Sequence, residues 1–182
     1  ANLDNSSADA LSPQPVKVTG TNTFNENAGG LSVASIGAIS ANNITANANT
    51  SGHGAYLGNR LFAATAGITL TGINVLNDNV SGSGLYAESY GPITVNSVTA
   101  SGNNGNGAWL NNSGAPTAQA VKLTGTNTFN DNASTGFAVA SAGAITVNNV
   151  TAIGNSSSGA SLDNSSGTAG VTLTGANVFI GN

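Results

Sequence analysis

The sequence predicts an all-β protein that folds as a parallel β-solenoid, with about seven coils of three short strands each and with long and short coils alternating. Three observations predict this fold. One phrase recurs four times, as in AVKLTGTNTFNDN from Ala120 and PVKVTGTNTFNEN from Pro15. A second phrase, such as GAITVNNVTAIGN from Gly143, lies between its copies. Apolar and polar residues alternate with a period of two in both phrases, which is typical of strands.

The start of each coil is marked by a glycine that opens a short strand-like segment. Successive opening glycines, from Gly30 to Gly159, are 24, 30, 23, 29 and 23 residues apart. Long units (A) and short units (B) therefore alternate in the order A-B-A-B-A-B-A, and residues 1–182 are expected to form a single solenoid segment. A right-handed β-helix is expected, because parallel crossover connections are nearly always right-handed. The predicted coils are 1–29, 30–53, 54–83, 84–106, 107–135, 136–158 and 159–182.

The second strand of each coil indicates which side chains point inward. Two apolar residues flank one polar residue in every copy, and a single coil cannot bury this apolar edge alone. Stacked coils can bury it, with each coil hydrogen-bonded to the next at about 4.8 Å. The predicted inward pairs are Val16/Val18, Ile39/Ala41, Ile68/Leu70, Ile93/Val95, Val121/Leu123, Ile145/Val147 and Val171/Leu173.

Two further inward columns alternate in size from coil to coil. In the third strand, A coils place a large residue and B coils place alanine; in the first strand the order is reversed. A large side chain therefore always has small neighbours above and below it, which avoids overpacking. The third-strand column is Phe24, Ala46, Leu76, Ala100, Phe129, Ala152 and Phe179, and the first-strand column is Leu31, Ala55, Leu85, Ala108, Phe137 and Ala160.

The third-strand phrase ends with asparagine in all seven units. Stacked amides can donate and accept hydrogen bonds along such a column, as in the asparagine ladders of stacked sheets. Asparagine also tolerates the backbone conformations of a turn, so a simple turn preference is the alternative interpretation. The predicted structural ladder is Asn27, Asn49, Asn79, Asn103, Asn132, Asn155 and Asn182.

Three aromatic residues, Tyr56, Tyr86 and Trp109, occupy the same outward position of the first strand on three consecutive coils. Exposed rings at intervals of about 4.8 Å would form a binding strip that can stack on sugar rings or on a partner surface. The alternative is that long apolar loops of the A coils cover the rings. These loops are RLFAATA, NSGAPTAQA and SSADALSPQP.

Composition excludes several classes of partner. The chain has 3 basic and 7 acidic residues, a net charge of -4 and no cysteine. Nucleic acids and acidic membrane surfaces require clusters of basic residues, so neither is expected as a partner. No apolar run reaches the length that spans a bilayer, so no membrane span is expected.

Catalytic, metal and cofactor sites are not expected either. Glu26, Asp78 and Asp131 share the repeat position just before the ladder asparagine, but two coils separate consecutive members, which is roughly 10 Å. This spacing is at the wide limit for a pair of acid and base catalysts, so solvated turn carboxylates are favoured over a weak cation site. His53 has no second histidine, cysteine or acid at a ligand-like spacing. We therefore predict no enzyme activity, no cofactor and no metal.

The repeats resemble those of a known group of proteins. LTGTNTFNDN, from Leu123, and GAITVNNVTAIGN are similar to the tandem repeats of giant bacterial cell-surface and secreted proteins of right-handed β-helix architecture, which are adhesin-like. The resemblance covers the whole chain. It implies an extracellular or cell-surface location, and it transfers no catalytic residues.

The favoured function is therefore a structural repeat segment of an extracellular bacterial surface fibre, filament or adhesin. The alternative is a carbohydrate-binding β-helix that uses the aromatic strip. Expected partners are further coils of the same solenoid, through self-association or end-to-end continuation, and glycans or other cell-surface molecules. Direct stacking of copies would place an A coil on an A coil, so the residues after Asn182 are expected to begin a B coil of about 23 residues.

Overall fold

The computed structural model describes residues 1–7, 12–60 and 65–182, and it confirms the parallel β-solenoid. These residues form short strands joined by turns. They contain no helix, and so none that is long and apolar enough to cross a membrane.

Each predicted coil contains three strands. The first three coils contain β1 (Asn2–Asn5), β2 (Val16–Val18) and β3 (Asn22–Thr23); β4 (Leu31–Ser35), β5 (Ile39–Asn42) and β6 (Ile44–Thr45); β7 (Ala55–Asn59), β8 (Ile68–Thr71) and β9 (Asn74–Val75). The last four contain β10 (Leu85–Ser89), β11 (Ile93–Asn96) and β12 (Val98–Thr99); β13 (Ala108–Asn111), β14 (Val121–Thr124) and β15 (Asn127–Thr128); β16 (Phe137–Ala140), β17 (Ile145–Asn148) and β18 (Val150–Ile153); β19 (Ala160–Asp163), β20 (Val171–Thr174) and β21 (Val178–Ile180).

Three parallel sheets run along the solenoid, and each coil contributes one strand to each sheet. The first sheet has the order β1-β4-β7-β10-β13-β16-β19, the second β2-β5-β8-β11-β14-β17-β20 and the third β3-β6-β9-β12-β15-β18-β21. Paired strands keep the register of the sequence repeats, so that Leu85 pairs with Ala55 on one side and with Ala108 on the other. Equivalent residues of successive coils therefore form columns along the solenoid axis.

Two columns of left-handed residues bend each coil. One column lies just after the second strand, and the other lies directly before the ladder asparagine. Their φ angles run from 48° at Asn43 to 83° at Gly20, a region that glycine enters freely and that asparagine and aspartate tolerate. The first column is Gly20, Asn43, Gly72, Ser97, Gly125, Asn149 and Gly175, and the second is Glu26, Ala48, Asp78, Gly102, Asp131, Gly154 and Gly181.

The core lies between the three sheets and forms one continuous apolar cluster. The predicted size alternation is confirmed there. The Phe137 ring, from the first strand of coil 6, lies 5.3 Å from the Phe129 ring and 6.4 Å from the Phe179 ring, which belong to the third strands of coils 5 and 7. Ala108 and Ala152 hold the small positions beside these rings and are fully buried. Large side chains of the two strands therefore interleave, and the packing unit is a pair of coils.

The inward columns continue into coil 7, the last coil of the given sequence. Leu173 pairs with the buried Val147 of coil 6, and Phe179 pairs with the buried Ala152. Coil 7 therefore keeps the register of the coils before it.

Replacing Ala100 by Phe tests the size alternation. Ala100 is 0% exposed and lies between Leu76 and Phe129 in the third-strand column. A third large side chain has no space there, so we expect the free energy of unfolding to fall by about 1–3 kcal/mol. Chemical denaturation measures the loss. The matched control, Thr99→Phe, changes a half-buried outward residue of the same strand and should cost no more than about 0.5 kcal/mol. Equal losses in the two variants would contradict the inward assignment of this column.

Candidate functional site

The asparagine column at the end of the third strand forms a hydrogen-bonded ladder. The Nδ2 group of one coil donates to the Oδ1 atom of the next, at 2.9 Å for Asn49 to Asn79 and 3.0 Å for Asn103 to Asn132. The corresponding distances are 2.9 Å for Asn79 to Asn103, 2.9 Å for Asn132 to Asn155 and 2.7 Å for Asn155 to Asn182. The five inner members, Asn49 to Asn155, are buried, whereas Asn27 and Asn182 at the two ends are exposed.

The four amides from Asn79 to Asn155 have their hydrogen-bonding groups satisfied. Asn103 Oδ1 accepts both the Asn79 Nδ2 group and the Asn79 backbone N–H, at 2.9 and 3.0 Å. The second Nδ2 hydrogen donates to a backbone carbonyl, as from Asn132 to Ala100 O at 3.1 Å. Asn27 joins only through its backbone N–H, which donates to Asn49 Oδ1. A buried polar group costs stability when it is left without a partner, so the pairing of these amides explains why every unit keeps this asparagine.

The opening glycines pack directly against the ladder. A Cβ atom at Gly107 would lie 2.4 Å from the Gly136 carbonyl oxygen and 2.9 Å from Asn132 Nδ2. A Cβ atom at Gly136 would likewise lie too close to the Gly159 carbonyl oxygen and to Asn155 Nδ2. A side chain at these positions would push the next coil away, so the recurring glycine is required by close approach between coils.

A second polar column, at the end of the first strand, was missed in the sequence. Asparagine in A coils alternates there with serine in B coils. Asn112 Nδ2 donates to Gly91 O and Gln119 O, and Ser141 Oγ donates to Gln119 O. The signal was present, because the opening segments GAYLGN and GLYAES end in these two residues in turn. The column is Asn5, Ser35, Asn59, Ser89, Asn112, Ser141 and Asn164.

A third set of buried amides was also missed. Asn74 and Asn127 are fully buried at the start of the third strand, where B coils place isoleucine or valine. Asn127 Nδ2 donates to the Thr124 and Gly125 carbonyls of the preceding bend, and its Oδ1 accepts the Val98 backbone N–H at 3.1 Å. These amides therefore tie the bend of an A coil to the B coil before it.

The predicted aromatic residues are neighbours on the outer face of the first sheet. Tyr86 pairs with Tyr56 on one side and with Trp109 on the other, and all three side chains are half-buried. The Tyr56 and Tyr86 rings lie 5.7 Å apart with an interplanar angle of 28°. His53 joins them, with its ring 4.7 Å from the Tyr86 ring. We call Tyr56, Tyr86 and Trp109 the aromatic strip.

The Tyr56 ring is held flat along its own strand. A Cβ atom at Gly58 would lie 2.4 Å from the Tyr56 hydroxyl oxygen, so only glycine leaves room for the ring. The hydroxyl donates to Glu88 Oε1 at 2.7 Å, and Glu88 Oε2 lies 3.5 Å from Arg60 Nη1. Arg60 also lies over the Tyr90 ring, 5.3 Å from its centroid. Residues 61–64 of the first predicted covering loop lie outside the described residues.

Protonation in this cluster follows from burial. Burial, together with the neighbouring Glu88 carboxylate, raises the pKa of Tyr56, and burial also raises the pKa of Tyr86. Burial lowers the pKa of His53, whose Nδ1 accepts the Ser83 backbone N–H at 3.1 Å. His53 is therefore neutral at pH 7, with its proton on Nε2.

Among the described acidic residues, Glu88 contacts this cluster. Asp78 and Asp131 are at the left-handed bend before the ladder, each below a glycine of the next coil. Within residues 1–7, 12–60 and 65–182, no group of three or more histidine and acidic side chains is placed to hold a metal ion. Asp9 lies outside these ranges.

Replacing Asn103 by Ala tests the ladder. The change leaves Asn79 Nδ2 and the Asn79 backbone N–H without their acceptor, and Asn132 Oδ1 loses a donor. We expect the free energy of unfolding to fall by about 1–3 kcal/mol, as for other unsatisfied buried groups. The adjacent exposed residue supplies the control, since Asn104→Ala should change stability by no more than about 0.5 kcal/mol. Urea denaturation that gives the same midpoint for both variants would contradict the ladder.

Comparisons with protein-family models, with curated proteins and with solved structures each found no match for this chain. The resemblance to bacterial surface-protein repeats therefore stays a prediction from the residues.

Proposed function

We propose that this chain is a structural repeat segment of an extracellular bacterial surface fibre or filament, in an adhesin-like protein. One observation supports the proposal most directly: three parallel sheets and one asparagine ladder run from the first coil to the seventh without a break. The repeated sequence places equivalent residues of successive coils on top of one another. An elongated scaffold requires such stacking.

The direction of the hydrogen bonds suits a fibre. Bonds between coils lie along the solenoid axis, both in the sheets and in the ladder. Tension along the axis is therefore shared at each interface by several strand bonds and by the ladder amides. Seven coils at about 4.8 Å each make a rod roughly 34 Å long.

The side chains of coil 7 fit a B coil of the same repeat as their next neighbour. A B coil places alanine in the third-strand column, beside Phe179, and a large residue in the first-strand column, beside Ala160. This arrangement continues the size alternation of the internal coils. Asn182 is consistent with the same partner. The backbone N–H of each inner ladder asparagine donates to the Oδ1 atom of the ladder asparagine in the following coil, so a following B coil would supply this acceptor for Asn182. We propose such stacking as the main association of this chain.

The extracellular location and the adhesin-like context rest on the resemblance of the repeats. The low content of charged residues supports neither nucleic acid nor an acidic membrane surface as the partner. The second candidate function, carbohydrate binding, is favoured by a separate observation on the first sheet and is argued below.

Immunogold labelling of the bacterium that encodes this chain tests the proposal. We expect an antibody raised against residues 1–182 to label intact cells or shed filaments. The antibody preabsorbed with the purified chain is the control, and an antibody to a cytoplasmic protein checks that cells are intact. Gold particles that are seen only after permeabilisation would overturn the extracellular assignment.

A further inference from the structure

A cleft of about 490 Å³ opens on the outer face of the first sheet, beside Tyr56. The outward column that contains the aromatic strip begins with two smaller residues, Asn2 and Ser32. The larger Tyr56 ring therefore forms a wall beside them. The turn from Asn49 to Gly54 is two residues longer than the equivalent turn from Asn27 to Gly30. The extra residues bring Ser51, Gly52 and His53 to the second wall of the cleft.

We propose that this cleft binds one ring of a neutral polysaccharide, whose chain continues over Tyr86 and Trp109. The site is independent of the structural role, because it uses outward residues that take no part in the ladder or the core. The proposal depends on the aromatic wall, on the polar groups of the cleft and on the local charge.

The aromatic wall is preorganised. Tyr56 is fixed by its bond to Glu88 and by its position over Gly58, and its ring is within 28° of parallel to the Tyr86 ring. His53 is within 21° of parallel to Tyr56 and is fixed through the Ser83 backbone N–H. A ligand that stacks on these rings does not have to order them, so little conformational entropy is lost on binding. The C–H face of a sugar ring matches such an apolar aromatic surface.

The polar groups of the cleft match hydroxyl groups. Asn2, Ser32 and Ser51 line it, and their side chains make no hydrogen bond to any other group in the described part of the chain. They supply amide and hydroxyl groups that both donate and accept, and the neutral His53 supplies an Nε2–H donor. A small number of such groups around an apolar wall is typical of ligand sites.

The charge of the region favours a neutral ligand. The charged side chains beside the aromatic strip, Arg60 and Glu88, are paired with each other, and Asp4, two residues after Asn2 on the same strand, carries a negative charge that would repel an anion. No cluster of cations is present in the described residues near the strip to hold carboxylates or phosphates. Nucleobases also stack on aromatic rings, but strands of nucleic acid need a basic groove for their phosphates.

Isothermal titration of the 182-residue chain with defined hexasaccharides tests the proposal. The probes are the neutral hexamers of β-1,4-linked glucose, mannose and N-acetylglucosamine, with hexagalacturonate and hexathymidylate as the charged comparisons. We expect at least one neutral hexamer to bind saturably with a Kd below about 1 mM and the charged probes to bind at least about tenfold more weakly. Trp109, the single tryptophan of the chain, should change its fluorescence on binding.

Two tryptophan substitutions on different faces of the solenoid locate the site. Ser32→Trp fills the cleft, whereas Thr69→Trp adds the same side chain at an exposed outward position of β8, in the second sheet. We expect S32W to weaken binding at least about tenfold and T69W to leave the affinity unchanged. In the unsubstituted chain, backbone amide signals of Ser32, Ser51 and His53 should shift on titration in NMR spectra, which locates the site without any variant.

Three results would overturn the proposal: no saturable binding of any neutral hexamer, tighter binding of a charged probe, or equal effects of S32W and T69W. None of them bears on the fibre role, which is tested by cell labelling. Conversely, an intracellular location would leave the glycan cleft intact.

Discussion

The structure depends on the register between stacked coils, and the asparagine ladder fixes that register. From Asn79 to Asn182, each ladder Oδ1 atom accepts two hydrogen bonds from the coil before it, one from a side chain and one from the backbone. A slip of one residue would break both bonds and would also turn the apolar faces of the strands outward. The ladder therefore selects one alignment from the many that similar repeats would otherwise allow.

Once the register is set, each other column has a defined role. The opening glycines let successive coils approach the ladder, and the left-handed columns turn the chain between strands. The inward columns alternate in size, so the sequence repeats every two coils although each coil contributes one strand to each of the three sheets. Outward positions carry few constraints of this kind, and for this reason the first sheet can place Tyr56, Tyr86 and Trp109 side by side beside a cleft.

The asparagine ladder and the apolar inward columns were predicted from the sequence, whereas the buried polar residues that change identity from coil to coil were not. The ladder and the inward columns recur as one letter or as one alternation, so the fold follows from them. The buried Asn74 and Asn127 were missed because valine or isoleucine replaces them in the next coil. The orientation of Tyr56 depends on Gly58 in its own coil and on Glu88 in the next, and the cleft depends on a difference in turn length. The orientation of Tyr56 and the cleft each depend on residues in different columns, so neither can be predicted from one column alone.

Hydrogen exchange of the asparagine side-chain amides, followed by NMR, tests the central claim most directly. The Nδ2 hydrogens of Asn79, Asn103 and Asn132 are buried and bonded, so their exchange requires opening of the stack. The exposed Asn104 on the neighbouring turn is the internal reference. The account predicts strong protection of the three ladder amides and none at Asn104. Exchange of the ladder amides as fast as that of Asn104 would contradict it.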